Sequence, residues 1–106
     1  MVTSLEELKT ALDGLNIPVA YSHFKDNTYP PYCVFFVDSQ DGFYADNVTY
    51  TKSKTINIEL YTDMKNETLE ASLEKILNDN EIPFNVITEV FIEDENMYEV
   101  VYEIEI

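Results

Sequence analysis

The stretch that most constrains this chain is Asn47 to Thr62, N-V-T-Y-T-K-S-K-T-I-N-I-E-L-Y-T. Side chains alternate faces along a strand, so Tyr50, Lys52, Lys54, Ile56, Ile58 and Leu60 share one side, and Thr49, Thr51, Ser53, Thr55, Asn57, Glu59 and Tyr61 the other. Three aliphatic residues at one end and two lysines further back predict a strand that starts as a projecting arm and ends in the core. Burying Ile56, Ile58 and Leu60 contributes about 1.5–3 kcal/mol each. A slip of one residue would bury Asn57 and Glu59 instead, so the register is fixed.

At 106 residues the chain is expected to form one domain, 1–106, with a core that needs neither metal nor disulfide. Its 21 acids against six lysines give a net charge of −15, which alone would suggest disorder. A hydrophobic fraction of 45%, with eight Tyr and six Phe in a periodic pattern, outweighs that. There is no arginine, the residue whose planar fork suits phosphate, so direct nucleic-acid binding is not expected, and neither is an anionic membrane surface. No apolar run approaches the roughly 20 residues that span a bilayer, and no cleavable leader precedes the first helix, which places the protein in a reducing cytoplasm. There the sequons at Asn47 and Asn66 are chance matches. Cys33 is the single cysteine and sits among apolar neighbours, where a thiol behaves as a small core residue.

In chain order, Thr3 or Ser4 caps a first helix, with Glu6 or Glu7 closing a capping box, Leu5, Leu8, Leu12 and Leu15 as its apolar stripe and Gly14 as its stop. Ile17 to Tyr21 reads as a short strand whose Pro18 puts it at a strand start or sheet edge. His23 to Pro31 is a loop. With one His and one Cys in the chain, His23 is read as a solvated loop residue rather than a metal ligand, and no cofactor is expected. Tyr32 to Asp38, almost wholly apolar, suits a central strand covered on both faces. Ser39 to Asp46 then reads as a loop longer than a tight turn, carrying Phe43 and Tyr44 beside Asp41 and Asp46. Such a loop either makes a contact or folds its aromatics back over the sheet edge. Its acids are too irregularly spaced for a calcium loop.

Asp63 and Asn66 are candidate caps for a second helix, Glu67 to Asn78, with Leu69, Leu73, Ile76 and Leu77 buried and Glu67, Glu70 and Glu74 on a solvated face. Val86 to Ile92 and Tyr98 to Ile106 form a hairpin across Glu93-Asp94-Glu95-Asn96. The last strand puts Tyr98, Val100, Tyr102, Ile104 and Ile106 on the core side and Glu99, Glu103 and Glu105 on a carboxylate ladder, with Val101 the exception. Ile17-Pro18-Val19 and Ile82-Pro83-Phe84, 65 residues apart, each follow a helix end, which suggests two helix-then-hairpin units sharing one sheet. The expected fold is α+β in the order α-β-β-β-α-β-β, a mostly antiparallel sheet with both helices on one face and a projecting β-hairpin.

Ile17-Pro18-Val19-Ala20-Tyr21, Pro31-Tyr32 with Val34-Phe35, Ala45-Asp46-Asn47 with Tyr50, Ile58-Glu59-Leu60-Tyr61-Thr62 and Met97-Tyr98-Glu99 together resemble the small tail-completion or tail-terminator proteins of long-tailed phages and prophages of Gram-positive bacteria. The resemblance covers nearly the whole chain and implies a non-enzymatic ring component of the virion tail. That component, by the same resemblance a hexamer, caps the tail tube, stops its polymerisation and joins it to the head connector protein. It brings no catalytic residues. The charge suits such a role, because a lumen lined with carboxylates repels passing DNA over about 8–10 Å. Asp41, Phe43, Tyr44, Asp46, Lys52 and Lys54 are the candidate subunit or partner contacts, with an acidic patch on the next copy as the surface the lysines would meet; the alternative leaves Lys52 and Lys54 as solvated protectors of a strand edge. From Glu67 onward the chain has 12 acids against one lysine, which also suits a second function, an acidic inhibitor or DNA mimic seated in the basic groove of a nucleic-acid enzyme. An enzyme finds little support: Glu93 and Glu95 sit in a turn with no nucleophile, base or cofactor loop beside them.

Overall fold

The computed structural model describes residues 2–45 and 48–106, with the backbone alone from 39 to 45 and from 48 to 53. Helix α1 spans Leu5–Leu12 and α2 Glu67–Asp79; the strands are β1 Val19–Tyr21, β2 Tyr32–Ala45, β3 Val48–Thr62, β4 Phe84–Ile92 and β5 Met97–Glu105. They form one sheet in the order β1-β2-β3-β5-β4. β1 runs parallel to β2 and every other pair is antiparallel, so the fold is α+β with a mostly antiparallel sheet.

Local chemistry starts both helices. The Ser4 hydroxyl accepts from the Glu7 amide at 3.2 Å, and the Glu7 carboxylate accepts from the Thr3 hydroxyl at 2.8 Å and the Thr3 amide at 3.3 Å. That is a capping box closed one residue further back, and the Thr3 bonds draw the Glu7 carboxyl below its ordinary value. Asn66 caps α2 by accepting from the Leu69 amide at 3.0 Å. The helices lay Leu8, Leu12, Leu73 and Leu77, all fully buried, against Cys33, Phe35, Ile56, Ile58, Leu60, Val100, Tyr102 and Ile104 of the sheet. The alternation expected of β3 holds through its buried end.

The chain does not stop α1 at Gly14, which lies within a 3-10 turn at Asp13–Leu15; the left-handed residue is Asn16, at φ 61°. Asparagine adopts that conformation more readily than other residues with a Cβ, so no glycine is needed. The 65-residue echo has a backbone counterpart, since Glu81 before Ile82-Pro83 is also left-handed, at φ 58°. Each Ile-Pro pair leads into an edge strand, β1 or β4. The two units nevertheless differ: β1 and β2 are parallel, so the first is no hairpin. The hydrogen bonds Cys33 N to Pro18 O and Ser22 N to Phe35 O fix that parallel register, and the intervening residues return the chain to the same end of the sheet.

Candidate functional site

β2 does not end at Asp38. It pairs with β3 continuously enough to reach Ala45↔Val48, so the segment expected to be a loop from Ser39 to Asp46 is strand through Ala45. The Thr-rich first half of β3 favours a pleated backbone, and its amides and carbonyls find partners in β2, which overrides the turn signal of Asp41-Gly42. Shifts in register at Asp38 and Tyr50 interrupt the ladder. Such bulges bend and twist a ribbon without ending it.

β1 covers β2 only from Cys33 to Phe35, and β5 pairs with β3 from Thr55 to Thr62. Lys54 marks where the ribbon leaves the sheet, its amide and carbonyl each bonded to Ile106 at 3.1 Å. Beyond it, Ser39–Ala45 and Val48–Ser53 continue as a two-stranded arm about 23 Å long. The molecule measures 51 × 29 × 25 Å.

Of the expected contact residues, Asp41, Phe43 and Tyr44 lie on β2 opposite Ser53, Thr51 and Thr49, with Lys52 opposite Gly42. They share one arm. Lys54 lies at the base of the arm rather than out along it, and Asp46 falls outside the described residues.

The sheet face away from the helices carries a second arrangement, which the strand pattern alone does not assemble. Tyr32 stacks on Tyr61 with ring centres 4.8 Å apart, and Phe24 meets Tyr32 edge-on at 5.5 Å. The Tyr61 hydroxyl lies 3.0 Å from Glu59 Oε1 and 2.7 Å from Glu99 Oε2. One phenolic proton serves two carboxylates. Glu59 stands in register between Val34 and Val101, both buried, and this burial, with the Glu99 charge added, raises its carboxyl above the ordinary value against the opposing Tyr61 bond. Burial and the same carboxylates push the Tyr61 hydroxyl up as well. His23, Asp26 and Glu95 join Phe24, Tyr32, Glu59 and Tyr61 around a cleft of 370 Å³, where His23 is exposed and its Nδ1 lies 3.2 Å from Ser22 Oγ.

This face is therefore not the plain carboxylate ladder expected of β5, because Val101 and the stacked tyrosines make it partly apolar. Glu74 also departs from its expected solvated role, accepting from the Tyr102 hydroxyl at 2.9 Å. The sequence clue to the first cluster was slight: Glu59 and Tyr61, two apart, share a face with whichever acids β5 brings alongside.

Among the described residues no group of three or more His, Cys, Asp or Glu side chains is placed to hold a metal ion, and no helix is long and apolar enough to cross a membrane. No protein-family model matches the chain, and no curated protein matches it. The geometry leaves two surfaces with a use to explain: the arm, and the sheet edges on either side of it.

Proposed function

We propose that this chain is a subunit of a ring that caps the tail tube of a long-tailed phage or prophage and joins the tail to the head connector. The observation that carries the reading is the β2–β3 arm, a paired ribbon that continues well past the strands flanking it in the five-stranded sheet. A ribbon that extends past the sheet gives a subunit a handle for its neighbour. The resemblance of Ile17–Tyr21, Ile58–Thr62 and Met97–Glu99 to tail-terminator proteins supports the same role, and the resemblance implies six copies. The net charge of −15 without arginine fits a channel that lets DNA pass without holding it.

An acidic inhibitor or DNA mimic is the competing reading, favoured by Glu59, Glu99 and Glu103 on adjoining strands of one face. Light scattering after size exclusion separates the two. A ring subunit assembles into a closed oligomer and binds tail-tube protein, and Lys52→Glu with Lys54→Glu abolishes that assembly while the fold, read by circular dichroism, persists. A small monomer or dimer that instead binds a basic nucleic-acid enzyme with steep salt dependence overturns the ring reading.

A further inference from the structure

β4 is the outer strand at the end of the sheet away from β1. Its sequence, F-N-V-I-T-E-V-F-I, exposes Val86, Ile87, Val90 and Phe91, each between 41% and 49% accessible. Its single charged residue, Glu89, is held by Lys65 Nζ at 2.9 Å and by the Tyr98 hydroxyl at 3.3 Å. A nine-residue edge strand of this kind has backbone donors and acceptors without a partner on one side. Natural edges are usually protected by charge, and this one is apolar; such a patch marks an interaction surface.

We propose, building on the ring reading above, that the outer edge of β4 receives the arm of a second copy of this chain as an added strand. Two observations select a second copy. First, like copies at −15 repel each other least where charge is lowest, and β4 carries a single charged residue, Glu89, which is paired with Lys65. Second, β4 runs directly into Glu93-Asp94-Glu95, whereas the arm bears Lys52 and has Lys54 at its base. Three of the other four lysines are already held, Lys9 by Asp13, Lys65 by Glu70 and Glu89, and Lys75 by Asp79.

The arm also has the matching need. Among the described residues, β3 from Val48 to Ser53 has no strand on the side away from β2. Laying this lysine-bearing strand along β4 pairs two unfilled edges and sets opposite charges side by side. Because arm and edge are different surfaces, each copy donates one and accepts with the other, the head-to-tail contact that closes into a ring.

The test mixes two full-length variants of different tag length, one Thr88→Cys on β4 and one Thr51→Cys on the arm. Cys33 is buried and stays out of the reaction. Mild oxidation is expected to give the mixed disulfide as the main product, reduced by excess wild-type chain. Separately, Ile87→Lys with Val90→Lys is expected to leave a folded monomer, with the wild-type circular dichroism melt and loss of the oligomer in light scattering. A Thr88→Cys homodimer as the main product, an unchanged oligomer in the lysine variant, or a wild-type chain that stays monomeric at its highest soluble concentration overturns the proposal. Tail-tube binding by the wild-type chain keeps the two readings apart: capping with an unaffected lysine variant removes the β4 contact alone, and neither assembly nor tube binding removes the ring.

Discussion

The Tyr102 hydroxyl donates to Glu74 at 2.9 Å, tying the middle of β5 to the centre of α2 through the core. Tyr102 is fully buried and Phe84 meets its ring edge-on at 5.7 Å, so the ring holds the sheet to the helix while the hydroxyl reaches the Glu74 carboxylate.

Tyr102→Phe keeps the ring and loses the bond, and is expected to cost about 0.5–1.5 kcal/mol. Tyr102→Ala empties the site and is expected to cost about 3–5 kcal/mol, a large share of a small domain's total. Urea unfolding of both variants, together with Glu74→Gln as the second corner of a double-mutant cycle, measures the two contributions.

Stability against pH reports on the open face. The Glu59 carboxyl titrates above its ordinary 4.5, first because it is buried and then because Glu99 is near, with Tyr61 opposing. A carboxyl raised in the folded state favours the protonated form there. Its contribution is complete below the unfolded pKa and is lost as pH rises through the folded one. Glu59→Gln is therefore expected to raise the melting temperature at pH 7, and the gain is expected to vanish well below pH 4.5. His23, Asp26, Tyr32, Tyr61 and Glu95 line the same cleft and Glu99 shares the Tyr61 hydroxyl, so the comparison is made on the difference between variant and wild type at each pH. A gain that grows in acid would contradict the assignment.

Cys33 offers a probe of opening. Burial, with the Glu59 charge behind it, pushes the thiol up to about 12, and the residue is fully inaccessible. Thiol reagents are expected to leave the native protein unmodified at pH 8 and to react at once in denaturant. Native-state labelling then tracks the unfolding equilibrium, and fast labelling without denaturant would show that β2 opens locally.

The sequence by itself determined the elements that short-range patterns encode. Leu5, Leu8, Leu12 and Leu15 at helical spacing, the capping signals at Thr3 or Ser4 and at Asp63 or Asn66, and the strict alternation of Ile56, Ile58 and Leu60 each depend on neighbours within a turn or a strand, so composition and spacing sufficed, while the structure chose Ser4 and Asn66 as the caps. Tertiary structure decided what depends on a partner far along the chain. Ser39–Ala45 carries turn residues and became strand because β3 lay opposite with unfilled backbone groups. Tyr61 met Glu99 only once β5 entered beside β3, and β4 became an apolar edge only when β5 took the place between it and β3. Strand order is set by the summed burial of the whole sheet, a quantity no local window contains, and it is the strand order that leaves β4 on an outer edge and the arm beyond its flanking strands.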